Sequence, residues 1–286
     1  RGRRPEEAAA AAAQLPQGAP EAAPQRPALL ESLGVSTFSA CFERAPGSPG
    51  WLVWNDATRE GHPGVMKLPV VGESSWSVRL SGASMAVHAK TQGLPQLSLG
   101  CEGGCGAIVD TGSSLLGVPS SAYAAVWMHL REVGLDCSDM SKYPDLILKV
   151  GDQQLRFPPS SFIGSLYGQL DSEVARFMQL TEQDLRQPCQ MLLVNLGSEN
   201  TQFGPLFILG MPFFREYYTT FDLGHGQGSR SLFVAPAGDA CDPDAAAGVK
   251  EFAVLGPSAP GQGPLRVDAS LLRLPQWLRG GGGGSL

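Results

Sequence analysis

One aspartate closes an apolar run, Ala107-Ile108-Val109-Asp110, and is followed at once by Thr111-Gly112-Ser113-Ser114. A strand end of that character buries its side chains, and a lone buried carboxylate is costly unless something compensates it. The residues that follow hold the means. Glycine permits a tight turn with its amides pointing inward, and the hydroxyls can donate hydrogen bonds to the carboxylate. The chemistry open to a carboxylate so held is proton transfer. Against this stands the plain reading of Asp-Thr-Gly as an ordinary β-turn, which three common residues produce often by chance.

Other chemistries find less footing. His62, His88, His129 and His225 lie far apart with no triad context, so Ser113 and Ser114 do not read as hydrolase nucleophiles. The six cysteines contain no CxxC spacing and resemble neither a zinc site nor a redox motif, and no metal is expected. Disulfides in an oxidising compartment are the leading reading, with buried free thiols as the alternative. A net charge of -6 argues against a nucleic-acid partner and fits a peptide or protein partner better. No apolar run approaches the length of about 18 residues that a membrane span requires.

With 286 residues, 43% of them hydrophobic, the chain is expected to form one main domain. Residues 1–28 are Ala, Pro, Gln and Arg with almost no large apolar side chain, and are expected to be disordered. Residues 239–286, ending in the glycine run Gly280 to Gly284, read as a flexible tail. Within that tail the apolar stretch Leu271 to Leu278 has no assigned partner. Between the ends, period-two patterns cut by Gly, Pro, Asn and Asp predict a mainly β domain over 29–238 with brief helices. The expected strands are 37–43, 51–54, 64–71, 75–80, 84–88, 107–110, 145–150, 154–157, 191–195, 206–210, 217–222 and 231–235. Gly151-Asp152 reads as a two-residue hairpin, and Pro119-Ser120 opens a helix that stops at Gly134.

The longer string Cys101-Glu102-Gly103-Gly104-Cys105-Gly106-Ala107-Ile108-Val109-Asp110-Thr111-Gly112-Ser113-Ser114-Leu115-Leu116 raises the turn above chance. It is followed downstream by Phe207-Ile208-Leu209-Gly210 and by Tyr217-Tyr218-Thr219-Thr220-Phe221-Asp222. In this order the pieces resemble the C-terminal lobe of the pepsin-like (A1) aspartic peptidases over roughly residues 36–236. Ser75-Trp76-Ser77-Val78 and the segment Phe157 to Phe162 also resemble the family's pattern.

The resemblance implies one lobe of the acid-protease double-barrel fold and an aspartic endopeptidase function, with Asp110 catalytic and no cofactor. It also implies that Gly112, Ser113 and Ser114 line the substrate cleft, and that Thr111, Ile208, Leu209 and Gly210 support the turn. For Ser113 and Ser114, plain support of the turn is an equal reading. Cys101 is implied to pair with Cys105 and Cys137 with Cys189, while Cys41 and Cys241 are left open between a bond and two free thiols. The family's location implies a secretory, vacuolar or lysosome-like compartment.

In that family two aspartates share one proton, because like charges about 3 Å apart cannot both ionise, and together they activate a water. No second aspartate in this chain is followed by Thr-Gly or Ser-Gly. The expected partner is therefore an N-terminal lobe bringing the other aspartate and the flap, with the chain a piece of a longer precursor or an incomplete gene product. Pairing of two copies is the weaker expectation, since a lobe shaped for a different lobe usually lacks a self-complementary surface. The alternative function is an inactive lobe that holds a peptide or partner without cutting it.

Two departures from the family pattern stand near the turn: Ser113 replaces a threonine but keeps the hydroxyl, and Met211 stands where many members have Asp. His129 is expected to be a half-buried structural residue and Trp127 and Met128 to be core. Asp145 and Asp222 are expected to be structural.

Overall fold

A computed structural model describes residues 29–44, 50–57, 64–86, 96–181, 184, 187–224, 229–238, 241, 265–275 and 278. The segment 1–28 and the glycine run lie outside the described residues. The chain divides into a unit ending at Val35 and a larger one beginning at Ser36, whereas the lobe was expected to begin at residue 29. In the first, Leu29–Ser32 forms one helical turn, closed by Leu33 N–H on Leu29 O and Val35 N–H on Leu30 O.

The second unit is mainly β, as expected, and among the described residues its strands form four sheets. The sheet that carries Asp110 runs in the order Leu193–Asn195, Leu116–Val118, Gly204–Leu209, Cys105–Val109, Ser77–Leu80. Its central strand, Gly204–Leu209, is parallel to Cys105–Val109 on one side and meets Leu116–Val118 antiparallel on the other at Ile208 and Gly117. The chain thus leaves the centre at Val109, turns through Asp110, and returns on the far side of a strand supplied from a hundred residues later. Side chains that alternate inward from these strands, Ala107, Val109, Leu116, Val118, Phe207 and Leu209, are nearly inaccessible and belong to the main core.

A second sheet is antiparallel throughout, in the order Gly50–Trp54, Thr37–Phe42, Tyr217–Asp222, Ser231–Pro236, Met66–Pro69. Phe38 stacks on Phe221 with ring centroids 4.6 Å apart, and Trp76 meets Phe221 edge-on at 5.0 Å. Its outermost strand, Gly50–Trp54, is exposed along its whole length. Gln153–Phe157, Asp145–Val150, Gly82–Ala86 and Leu97–Gly100 form a third sheet. Its hairpin turns at Gly151, with φ 58, and Asp152, as the two-residue signal predicts.

Several expectations shift. The strand expected over 191–195 is broken at Leu192, whose N–H goes to Phe162 O, giving Gln190–Met191 and Leu193–Asn195. The strand expected at 84–88 is Gly82–Ala86, and residues 87 and 88 lie outside the described set. The helix is Ser120–Val133, capped by Gly134 at φ 79, and it buries the stripe Ala122, Tyr123, Val126 and Leu130. Trp127 and Met128 are not core: they fall off that stripe and are 40% and 60% exposed. His129 is half-buried, as expected.

The largest correction concerns the C-terminal region, expected as a flexible tail. Leu265–Asp268 is a strand, parallel to Ile163–Tyr167 in a small sheet that also holds Gln190–Met191. Leu265, Ala269, Leu272 and Leu274 are buried in a second apolar cluster with Leu115, Leu192, Leu206 and Ile208. Of the apolar stretch 271–278, Leu272 and Leu274 therefore have their partner, the outer side of the strands that build the Asp110 turn, while 276 and 277 lie outside the described residues. Burying several leucines offsets the entropy of ordering a segment that is polar and Gly-rich elsewhere.

Three disulfides close among the described residues: Cys101 with Cys105, Cys137 with Cys189, and Cys41 with Cys241. The first two are the pairings implied by resemblance, and the third settles the open pair. In the second unit Glu216 is buried, its Oε2 3.2 Å from Arg44 Nη2 and its Oε1 accepting from Ser161 Oγ at 3.1 Å. Burial pushes its carboxyl above the usual range, outweighing the Arg44 guanidinium. A folded-state pKa above the unfolded one means that this group's contribution is complete below about pH 4.3 and is lost as pH rises through the folded value. Thermal melting should show wild type and Glu216→Gln close together near pH 4 and the wild type falling progressively below the variant towards pH 7. A gap that is constant with pH would mean that burial does not raise the Glu216 carboxyl above its unfolded range.

Candidate active site

Asp110 sits where Cys105–Val109 ends, and its own N–H still donates to Leu209 O at 3.0 Å. The backbone then turns sharply, with Ser113 N–H reaching back to Asp110 O at 3.3 Å. This curl brings two donors onto the carboxylate. Gly112 N–H donates to Oδ1 at 2.8 Å and Ser113 Oγ donates to Oδ2 at 2.7 Å. Each oxygen of a carboxylate offers two lone-pair sites, so one site on each is taken and, among the described residues, no further donor reaches either oxygen. The carboxylate is thereby fixed in orientation without being saturated. Asp110 is half-buried, Ser113 buried, and Thr111 and Gly112 exposed.

The crossing strand holds the turn from below through Leu209 O and through Gly210. A carbon added at Gly210 would lie 2.3 Å from Leu115 O and 2.5 Å from Ser113 O, so the backbone passes where only glycine fits. Met211 N–H donates to Ser113 O at 2.8 Å, so the residue that departs from the family pattern still serves the turn through its backbone. At Gly112 an added carbon would approach Asp110 Oδ1 at 3.1 Å, crowding the oxygen its amide holds.

The structure brings together Asp110, Gly112, Ser113, Leu209 and Gly210. Ile208 pairs with Ile108 and faces Gly117, supporting both arms of the turn. Thr111, expected as turn support, is exposed, and its hydroxyl has no hydrogen-bond partner among the described residues. Ser114 is engaged by the distant Arg273: Arg273 N–H donates to Ser114 Oγ at 2.8 Å and Ser114 N–H donates to Arg273 O at 3.0 Å. Sequence reasoning missed this residue, although the alternation Leu272-Arg273-Leu274 carries the period of an extended strand.

Asp145 and Asp222 are structural, as expected. Asp145 Oδ2 is 2.6 Å from Arg156 Nη1, and Asp222 Oδ1 accepts from Gly224 N–H at 2.8 Å. The Cys101–Cys105 loop precedes the strand that delivers Asp110 and closes its start, with Gly104 N–H on Cys101 O at 2.9 Å.

A family model described as eukaryotic aspartyl protease matches residues 35–229. Pepsin A of Bos taurus is 27% identical over 198 residues, which cover 66% of this chain and 45% of that protein. Aspartic protease 1 of Caenorhabditis elegans is 28% identical over 211 residues, covering 69% of this chain and 46% of its own length. Pepsin A of Sus scrofa is 30% identical over 162 residues, covering 54% and 34%. The chain therefore spans less than half the length of these relatives.

The close approach at Gly210 makes a direct prediction. Gly210→Ala should destabilise the fold by about 3 kcal/mol, because the added methyl meets two backbone carbonyls that cannot rotate away. Gly103→Ala, whose added carbon meets nothing within 4 Å, should stay within about 0.5 kcal/mol of wild type. Equal effects in chemical denaturation would show that the crossing does not constrain the turn.

Proposed function

The chain belongs to the eukaryotic aspartyl protease family, and from that premise we propose that Asp110 is one of the two carboxylates of an aspartic endopeptidase site. In this reading the chain supplies the C-terminal lobe and half of a cleft for a peptide or protein substrate. The observation that carries it is the seating of Asp110, oriented by Gly112 N–H and Ser113 Oγ with one lone-pair site left open on each oxygen. Those open sites suit the two things the chemistry needs, a proton shared with a second carboxylate and a water to be activated.

The water loses a proton to the carboxylate acting as base while the other, protonated, carboxyl donates to the peptide carbonyl oxygen. The proton balance reverses as the amine leaves. No covalent enzyme intermediate forms. Ser113 acts by holding Asp110, and Gly112 and Ser114 present backbone and hydroxyl groups to the substrate main chain.

The second carboxylate comes, in this proposal, from an N-terminal lobe on another part of a longer polypeptide. The exposed outer strand of the five-stranded sheet supports the need for such a companion. Trp51, Leu52 and Trp54 are each more than half exposed, and among the described residues no strand pairs with its outer edge. Bare apolar edges of this kind mark surfaces that another chain covers. The three disulfides support a secretory or lysosome-like compartment.

The test is cleavage of an unfolded protein at acidic pH by the longest natural product containing these residues. Asp110→Asn should lower kcat by at least about a thousandfold, within the range for losing a general acid–base group, with the melting temperature little changed. Undiminished cleavage by the variant would remove Asp110 from the chemistry. Peptide binding without any cleavage by the wild type would favour a lobe that holds peptides without cutting them.

A further inference from the structure

The Arg273–Ser114 contact has a form that the fold alone does not require. Both hydrogen bonds use the main chain of residue 273: its N–H enters Ser114 Oγ and its C=O receives Ser114 N–H. Around it the segment alternates, with Leu271 and Arg273 exposed and Leu272 and Leu274 buried. Leu272 has φ -60 and ψ 134, an extended conformation. The Arg273 guanidinium folds back on its own segment, with Nη1 on Ser270 O and Leu272 O, and contributes nothing to the grip on Ser114. An extended segment held through its own main chain, with alternate side chains buried, uses the same two elements by which extended peptides are recognised, main-chain bonds for affinity and pockets for alternate side chains.

The place matters as much as the form. Ser114 follows directly on Ser113, whose hydroxyl holds Asp110. Leu272 and Leu274 share an apolar cluster with Leu115 and Ile208, residues of the turn's own arms. The segment is also anchored upstream, where Leu265–Asp268 lies parallel to Ile163–Tyr167 and Asp268 accepts from Ser270 N–H and Oγ.

We infer that residues 272–274 fill, from within the same chain, a subsite that binds extended peptides carrying leucine-like residues at alternate positions, and that they compete with peptide for Ser114. The competition with substrate rests on the reading of Asp110 as a peptidase carboxylate, whereas the occupancy of Ser114 does not. A site filled in this way shows an apparent affinity reduced by the fraction of molecules in which it is free.

Amide hydrogen exchange in the wild-type chain is the first measurement, and it needs no variant: the Ser114 amide should be protected. Arg273→Pro removes the N–H donor at a position whose preceding residue already has the extended conformation proline demands. In that variant the Ser114 amide should exchange at least tenfold faster. It should also bind a fluorescein-labelled Ser-Leu-Leu-Arg-Leu-Pro-Gln peptide, the sequence of residues 270–276, at least tenfold more tightly than wild type, with Ser114 protected again on binding. Arg273→Ala keeps both main-chain bonds and should behave as wild type.

Rapid exchange at Ser114 in the wild-type chain overturns the inference, as does equal peptide affinity in wild type and Arg273→Pro. An alanine variant that matches the proline variant overturns the main-chain reading. The binding comparison is repeated in an Asp110→Asn background, where it should be unchanged. Failure of catalysis and failure of occupancy are thereby read separately.

Discussion

Everything near Asp110 depends on one backbone crossing. The strand Gly204–Leu209 enters between the two arms of a turn, gives Leu209 O to Asp110 N–H, and leaves at Gly210 under the carbonyls of Ser113 and Leu115. Without that crossing the curl from Asp110 to Ser113 would have no floor. With it, the donors on Gly112 and Ser113 reach separate carboxylate oxygens, and among the described residues no charged group joins them. The carboxylate is thus positioned by dipoles and covalent geometry.

The geometry of the turn was legible because it is local. Asp110, Gly112 and Ser113 lie within hydrogen-bond reach by virtue of their spacing alone, and an apolar run ahead of an aspartate announces a cost that must be met nearby. The supporting strand was legible as an apolar run ending in glycine. That this glycine passes beneath two carbonyls is a long-range fact which no local pattern contains. Leu116–Val118 escaped notice for a similar reason: it is a very short strand, and its neighbours come from residues 193–195 and 208. Thr111 was assigned support by resemblance, and its exposure follows from the curl, which turns its side chain outward while the amides turn in.

The helix Ser120–Val133 and the C-terminal segment show two opposite errors. On the helix, large apolar side chains at Trp127 and Met128 suggested core, but the period of the helix places them beside the buried stripe, and period decides. In the C-terminal segment, Gly and Pro content suggested a tail, yet a few leucines in alternation found a groove. Strand Ile163–Tyr167 was hidden by Gly164 and Ser165, which weaken the pattern. Gly164 earns its place by proximity, since an added carbon there would lie 2.5 Å from Leu265 O in the neighbouring strand. Composition averages over a segment, whereas packing selects individual positions.

The wet outer strand Gly50–Trp54 has a consequence for handling the molecule. Its outer row of amides and carbonyls, which no strand among the described residues pairs, carries two indole rings and is a template on which an extended chain can add, a second copy of itself included. Clumping on concentration, eased by mild chaotropes and by whatever naturally sheathes that border, is the behaviour such a margin imposes. The same indoles make it visible, because their emission moves to shorter wavelength when water leaves them.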